Sequence, residues 1–107
     1  MKKHLVRALV SLAVASVAFA GPTRVGLVTD IGGIDDKSFN QGTWEGIKVY
    51  GKENKLTQGK EYKYLQSTAE ADYVPNLSTF ADEGLDLIVA PGFLFNNAMA
   101  EVAGKYP

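Results

Sequence analysis

The residues whose types could do chemistry are concentrated in one stretch, Thr29 to Asn40. It combines three carboxylates, two adjacent glycines, and an aromatic side chain next to an amide: Asp30, Asp35, Asp36, Gly32, Gly33, Phe39 and Asn40. A second segment, Pro91 to Asn97, contributes Gly92 and Phe93. Side chains of these types can bind a metal ion, move a proton, or hold a small molecule by hydrogen bonds and stacking.

A phosphate-binding glycine loop does not fit the spacing of these residues. Gly32 and Gly33 follow a predicted strand and precede a predicted helix, but the dinucleotide and Walker glycine patterns are both absent. The three carboxylates of the same loop would also repel a dianionic phosphate. The sequence therefore does not predict a nucleotide phosphate site here.

A calcium-dependent enzyme is a second hypothesis. Asp30, Asp35 and Asp36 resemble the Asp-rich loop D-T-D-P-G-x-D-D of calcium-dependent nucleoside hydrolases. The first Asp of that pattern falls on Val28, and an extra glycine lengthens the loop. Because calcium takes about six to eight oxygen ligands, the missing carboxylate weakens the match. A hydrolase that uses these three carboxylates stays as the alternative function.

The third hypothesis is recognition of a neutral small molecule that carries hydroxyl groups or an aromatic ring. A carboxylate accepts hydrogen bonds from sugar hydroxyls or base N–H groups. A phenyl ring can stack on a planar ligand, which is worth about 1–3 kcal/mol by analogy with base stacking. Asp30 has the strongest case, because a carboxylate at the end of a buried strand needs partners. The spacing of Phe39 is equally compatible with stacking on a ligand and with a place in the core.

The same loop also offers structural interpretations. Asp35 and Asp36 precede a predicted helix, where carboxylates satisfy free backbone N–H groups, so we expect both to cap the helix. Ser38 and Gln41 have the spacing of a capping box. We expect Ser38 to be the N-cap and not a nucleophile, because the mature chain has no His to activate it.

The spacing of apolar residues predicts the strands and helices that position these side chains. Three strands and three helices are expected, and in chain order they span 24–29, 38–54, 62–67, 72–83, 85–90 and 96–104. The order β-α-β-α-β-α predicts an α/β fold, a parallel sheet of three strands with flanking helices. The half-polar second strand suits an edge, and the almost wholly apolar third strand predicts coverage on both faces. Ligands bind beyond the carboxyl ends of such strands.

Small and aromatic residues refine this arrangement. Gly42 and Gly46 lie on roughly one face of the first helix, and we expect them to let it lie close to the sheet. Phe93 and Phe95 follow the third strand, and at least one of them is expected in the core. Asp30 and Phe39 should lie at the same edge of the sheet.

The first twenty residues predict a cleaved export signal. A basic start is followed by a mostly apolar run over 8–19, and Ala18-Phe19-Ala20 has the small-x-small cleavage pattern. The run is too short to anchor the chain, because a spanning helix needs about 20 apolar residues. The predicted domains are therefore a signal peptide, 1–20, and a mature chain, 21–107.

The composition of the mature chain narrows the function classes. Residues 21–107 carry 8 Lys and Arg against 12 Asp and Glu, for a net charge of −4, and contain neither His nor Cys. The sequence thus lacks an imidazole base and soft metal ligands, and we expect no cofactor. Negative charge argues against nucleic acid as a partner. Carboxylate-based enzymes and binding proteins remain.

Three segments resemble one known family. They are V-G-L-V-T-D over 25–30, D-D-K-S-F-N-Q-G-T-W-E-G over 35–46, and D-L-I-V-A-P-G-F over 86–93. Together they closely resemble the BMP (basic membrane protein) family of ABC-transporter substrate-binding proteins, which includes purine-nucleoside receptors of the PnrA type. The resemblance runs through essentially the whole mature chain.

The resemblance implies a type I periplasmic-binding fold, of which this chain would form the first part of the first lobe. In that family two lobes close on a nucleoside and deliver it to an ABC permease in the inner membrane, without catalysis. By position, Asp30 would hydrogen-bond the ligand, Phe39 would stack on the base, and Asn40 would line the pocket. Gly92 and Phe93 would border the same cleft.

The resemblance also carries expectations about location and extent. Family members are often lipoproteins, but this signal has no Cys to carry the lipid, so we expect a freely soluble periplasmic or extracytoplasmic form. Members are also much longer, which implies a fragment or truncated product without the second lobe. We therefore expect weak nucleoside binding, or none, by the chain itself.

Overall fold

The computed structural model describes residues 21–107, and the predicted signal peptide, 1–20, lies outside the described residues. The strands are β1, Val25–Val28, β2, Tyr62–Leu65, and β3, Leu87–Val89. The helices are α1, Phe39–Glu53, α2, Tyr73–Asp82, and α3, Asn96–Lys105. Short 3-10 turns precede α2 and α3, at Glu70–Asp72 and Phe93–Phe95. All three strands run parallel in the order β2-β1-β3, which confirms the predicted α/β fold and element order.

β1 lies in the middle of the sheet because its side chains are apolar on both faces. Val25 and Leu27 point into one core, and Val28 points into the other, as the alternation of side chains along a strand requires. The core beneath α1 consists of Val25, Leu27, Ile34, Trp44, Ile47 and Tyr62. The core beneath α2 and α3 consists of Val28, Tyr73, Leu77, Phe80, Phe95 and Val102.

The structure confirms the prediction for one outer strand and contradicts the prediction for the other. β2 is an edge strand within the described residues, as its half-polar sequence indicates. Within residues 21–107, β3 is not covered on both faces, so that prediction is wrong: Leu87 is 49% exposed. α1 packs over β1 and β2, which leaves an open apolar groove beside β3, lined in part by Ile47, Leu87 and Val89.

The close approach of α1 to the sheet occurs at a different glycine from those expected. A Cβ added to Gly42 or Gly46 would have open space around it, so the predicted role of these two residues is wrong. The bulky side chains of Trp44 and Ile47 fill the space between this part of α1 and the sheet. At Gly51, one turn further on, the Tyr62 ring lies where a Cβ would be. Within 21–107, no helix is both long and apolar enough to cross a bilayer.

Candidate functional site

The carboxylate of Asp30 lies just past the end of β1 and uses its two oxygens differently. Oδ1 accepts hydrogen bonds from the backbone N–H of Gly32 at 2.9 Å and from Nδ2 of Asn40 at 2.8 Å. Oδ2 accepts none within residues 21–107 and lies 3.8 Å from the position that a Cβ on Gly92 would occupy. The half-buried carboxylate is therefore held by one oxygen and open at the other.

Asn40 connects the start of α1 to the end of β1. Asn40 is only 1% exposed, and the hydrogen bond that its side chain donates to Asp30 spans ten positions of the sequence. This bond places the first turn of α1 at the carboxyl edge of the sheet, where Asp30 and Phe39 were expected together. The other amide atom, Oδ1, is buried without a hydrogen-bond partner in the described part of the chain.

Asp36 caps α1, as predicted, but Ser38 does not. The Asp36 carboxylate accepts hydrogen bonds from the backbone N–H groups of Ser38, Asn40 and Gln41 at 2.9, 3.1 and 3.0 Å. Desolvation acts to raise the pKa of Asp36, but the hydrogen bonds from Gln41, Ser38 and Asn40 outweigh it, so the pKa lies below its usual value.

The predicted capping box between Ser38 and Gln41 is wrong. The side chain of Ser38 makes no capping hydrogen bond, and the side-chain oxygen of Gln41 is buried without a partner among the described residues. Asp36 already accepts from the N–H groups that the box would have satisfied, and Lys37, at φ 52°, turns the chain between them. Asp35 is exposed and forms no hydrogen bond to α1 in 21–107, so the cap is Asp36 alone.

The three carboxylates of this loop do not converge on one point. One oxygen of Asp30 is bound to Asn40, Asp36 is bound to the helix backbone, and Asp35 faces solvent. Within residues 21–107, no three side chains of the His, Cys, Asp or Glu type are grouped as a metal site requires. The arrangement gives the calcium hypothesis no support.

Two exposed aromatic residues are the chain neighbours of Asn40 and Gly92. Phe39, the first residue of α1, is 75% exposed, so it is not a core residue. Phe93 begins the 3-10 turn after β3 and is 81% exposed. Phe95 is buried against Tyr73, with ring centroids 4.4 Å apart, which confirms that one of the two Phe residues after β3 belongs to the core.

Gly92 joins β3 to this aromatic turn in a conformation that favours glycine. Its φ of 111° lies where other residues are strained, and a Cβ at this position would face Oδ2 of Asp30. The absence of a side chain at Gly92 keeps the free oxygen of Asp30 accessible from the β3 side.

Sequence reasoning missed the residues at the end of β2. The side-chain oxygen of Gln66 accepts a hydrogen bond from the backbone N–H of Ile34 at 2.9 Å. Ser67 donates its backbone N–H to the hydroxyl of the buried Thr29 at 3.2 Å. A polar residue directly after β2, at the same edge as Asp30, was the signal that could have identified Gln66.

Comparison with known proteins identifies the family. A family model described as "ABC transporter substrate-binding protein PnrA-like" matches residues 23–107. An "ABC transporter nucleoside-binding protein BmpA" from Lactococcus lactis subsp. cremoris is 34% identical over 123 aligned positions, which cover 100% of this chain and 35% of that protein. A "CD4+ T-cell-stimulating antigen" from Listeria monocytogenes is 46% identical over 84 residues, 78% of this chain and 24% of the relative.

A solved structure has the same fold. It is a lipoprotein fragment from Peptoclostridium difficile 630, with a TM-score of 0.67 at 21% identity over 80% of this chain and 67% of that one. The chain spans 35% of the Lactococcus relative's length and 24% of the Listeria relative's length. The family model nevertheless matches nearly all of the described residues. The chain therefore belongs to the PnrA-like family of ABC transporter substrate-binding proteins.

Proposed function

We propose that this chain is part of the solute-binding component of an ABC importer and that its ligand is a purine nucleoside. The observation that carries the proposal is that the two carboxylate oxygens of Asp30 differ: one is held by Asn40 and the other is open. The Lactococcus relative, described as nucleoside-binding, supports the ligand class. The five residues that we assign to the binding site are Asp30, Phe39, Asn40, Gly92 and Phe93.

Each side chain has a separate part in the proposed complex. Oδ2 of Asp30 accepts a hydrogen bond from a ribose hydroxyl or a base N–H group, and Asn40 lines the site by holding the other oxygen of Asp30 in place. The Phe39 ring stacks on the base, and Phe93 borders the site from the other loop. The negative charges of Asp30, Asp35 and Asp36 disfavour a phosphorylated ligand, so a neutral nucleoside fits better than a nucleotide.

The exposure of the two rings sets the expected affinity. A hydrogen bond to a charged group contributes about 1.5–3 kcal/mol, and stacking contributes about 1–3 kcal/mol. Loss of translational and rotational freedom opposes binding by about 4 kcal/mol or more. Because Phe39 and Phe93 are 75% and 81% exposed, the ligand is contacted on one side only. Together these contributions exceed the opposing cost by no more than about 2 kcal/mol, so we expect a dissociation constant weaker than about 1 mM for the chain alone.

The proposed location is outside the cytoplasm, where the binding component meets the solute and the permease. Relatives described as lipoproteins from Pyrococcus abyssi and Pyrococcus horikoshii support this location. If residues 1–20 are an export signal, the chain secreted by a bacterial host begins at Gly21. Intact-mass measurement of the exported protein tests this directly, and a mass that retains Met1 contradicts it.

The binding proposal is tested by titrating the isotope-labelled chain with inosine and following amide signals by NMR. We expect saturable shifts at the backbone amides of Asp30 and Phe93 and at the Asn40 side-chain amide. The indole signal of Trp44, which is buried in the core, should stay in place. NMR suits this measurement because it detects binding weaker than about 1 mM, the dissociation constant that corresponds to about −4.1 kcal/mol.

Two variants and one matched control assign the contacts. Asp30→Asn keeps an oxygen for Gly32 and Asn40 but replaces the free acceptor by a donor, and Phe39→Ala removes the ring. Both should abolish the shifts while the melting temperature stays close to that of the parent. Asp35→Ala removes an exposed carboxylate from the same loop and should leave binding unchanged.

Several outcomes would contradict the proposal. Absence of saturable shifts in the parent would refute nucleoside binding, and unchanged binding in Asp30→Asn would refute the assigned contact. Micromolar binding would refute the one-sided site. Signals of free hypoxanthine, above all if they require calcium, would favour the hydrolase alternative over a binding protein.

A further inference from the structure

Gln66 joins the end of β2 to the loop that carries Asp30. Its side-chain oxygen Oε1 accepts the backbone N–H of Ile34 at 2.9 Å, across 32 positions of the sequence. The Ile34 side chain is 8% exposed and packs in the core beneath α1. The hydrogen bond therefore fixes the point at which the loop after β1 turns back into the core.

The turn between Asp30 and Ile34 is fixed from both ends. At its start, Asp30 accepts the N–H of Gly33 on its backbone oxygen at 3.2 Å and the N–H of Gly32 on Oδ1. At its end, Gln66 Oε1 approaches so closely that a Cβ on Gly33 would lie 3.0 Å from it. Gly33 has a φ of 76°, which also favours glycine.

We propose that Gln66 is a positioning residue of the binding site: by holding Ile34, it keeps the turn, and with it the free oxygen of Asp30, in place for the ligand. The proposal rests on the nucleoside binding proposed above. An orphaned backbone N–H in a partly buried turn is unfavourable. Without Gln66 the turn would open to hydrate that group, and Asp30 would lose its fixed orientation.

The end of β2 has a second connection to β1 that does not involve the Gln66 side chain. Thr29 donates its backbone N–H to the carbonyl of Leu65 at 3.0 Å and accepts the N–H of Ser67 on its hydroxyl. These bonds keep the strands paired when the side chain of Gln66 is changed. Substitution of Gln66 is therefore expected to loosen the turn without unfolding the sheet.

Three variants separate positioning from direct ligand contact. Gln66→Ala removes the acceptor for Ile34. Gln66→Glu keeps an acceptor but replaces the amide donor by a charged oxygen, which a neutral nucleoside tolerates if Gln66 does not touch it. Gln58→Ala is the matched control, because Gln58 is an exposed glutamine just before β2, at the opposite end of that strand.

The experiment measures hydrogen exchange of the Ile34 amide and the dissociation constant for inosine, both by NMR on the full chain. For Gln66→Ala we expect both quantities to rise by about 2- to 10-fold, the range of one hydrogen bond. Gln66→Glu should restore both to within about twofold of the parent, within the scatter of such comparisons. Gln58→Ala should change neither.

The outcomes distinguish this proposal from the proposed function. Unchanged exchange at Ile34 in Gln66→Ala would refute the hold on the turn. Faster exchange with unchanged inosine binding would refute the positioning role alone, and failure of Gln66→Glu to restore binding would indicate direct contact instead. A parent chain that does not bind inosine at all would refute the proposed function, and this proposal with it.

Discussion

Replacing Asn40 by Asp tests the hydrogen bond between Asn40 and Asp30, because it changes only the amide NH2 group of Asn40 to an oxygen. The substitution keeps the shape of the side chain but removes the donor that holds Oδ1 of Asp30 at 2.8 Å. It places a second carboxylate against Asp30 at a position that is 1% exposed. Burial and the like charge of Asp30 both raise the pKa of the new carboxyl above its value in the unfolded chain.

The size of the effect follows from the loss of the bond and the gain of repulsion. Two like charges about 4 Å apart repel by about 4 kcal/mol at an effective dielectric constant of 20. An unpaired buried charge typically costs about 3–5 kcal/mol of stability. A domain of this size unfolds with roughly 4–13 kcal/mol. We therefore expect Asn40→Asp to lose about 3–4 kcal/mol of unfolding free energy at pH 7.

The pH dependence gives the sharper test. Because the folded-state pKa of the new carboxyl is raised, the destabilisation is present above that pKa and is relieved as the pH falls through it. The variant should recover up to about 1.4 kcal/mol per unit of pH below that folded-state pKa, until its carboxyl is protonated in both states. Urea denaturation at pH 7 and at about pH 4.5, with the parent measured beside it, provides both free energies.

Asn97→Asp is the matched control, because Asn97 is exposed near the start of α3. A carboxylate there is favoured slightly by the helix dipole, so we expect a change within about 0.5 kcal/mol at pH 7. If Asn40→Asp were as stable as Asn97→Asp at pH 7, or showed no recovery in acid, the close contact between Asn40 and Asp30 would be refuted.

Three further predictions concern the cap and the glycines. Asp36→Ala should speed amide exchange in the first turn of α1 at pH 7. Because the pKa of Asp36 is lowered, the stabilisation that this carboxylate gives the folded state is complete at neutral pH and is lost as the pH falls through that pKa. The difference in exchange between the variant and the parent should therefore vanish in acid. Gly51→Ala should cost about 1–3 kcal/mol in urea denaturation because its methyl group meets the Tyr62 ring, whereas Gly42→Ala should stabilise by up to about 1 kcal/mol; equal effects would contradict the packing of α1. Gly92→Ala should cost about 1–3 kcal/mol through backbone strain, and an unchanged unfolding midpoint would contradict its φ of 111°.

The fold could be predicted because its signals are local. Tyr73, Leu77 and Phe80 recur at helical spacing, and all three are buried beneath α2. Gly84 follows the end of that helix, and its φ of 74° allows the turn after Asp82. Alternation of such segments with short apolar strands leaves a parallel sheet as the simplest arrangement.

Which elements cover the faces of a strand is not a local property, so it could not be predicted in the same way. The apolar sequence from Leu85 to Ala90 correctly predicted a strand, but it could not show which elements pack against each face. α1 lies over β1 and β2, and Leu87 is left exposed. Likewise, the helix pattern placed glycines on one face of α1 but could not reveal that Trp44 and Ile47 would separate that face from the sheet.

Capping shows the same limit at a smaller scale. Asp36 and Ser38 are both good cap residues, and each could satisfy the N–H groups at the start of α1. The choice between them depends on the backbone of Lys37, whose left-handed φ of 52° is uncommon for a lysine. Sequence spacing contains no signal for that conformation, so both the Asp36 cap and the Ser38 capping box were predicted, and only the Asp36 cap forms.

Two residues of the proposed site were brought together as the topology required, but their contact was not predictable. Asp30 follows β1 and Asn40 lies in the first turn of α1, and both belong to the carboxyl edge of the sheet. The hydrogen bond between them, and that between Gln66 and Ile34, depend on side-chain directions that spacing does not specify. Gln66 was missed for this reason.

The amide of Asn40 explains how a carboxylate can be held firmly and still serve a ligand. An Arg in its place would present a fork of donors and could bind both oxygens of Asp30 in a bidentate pair. An amide that donates once holds Oδ1 and leaves Oδ2 open toward Gly92. The charge of Asp30 is thus not neutralised by a cation at this contact, and its free oxygen remains a strong acceptor for a hydroxyl or N–H donor. Asp36 contributes by fixing the first turn of α1, because its carboxylate accepts the backbone N–H of Asn40 itself.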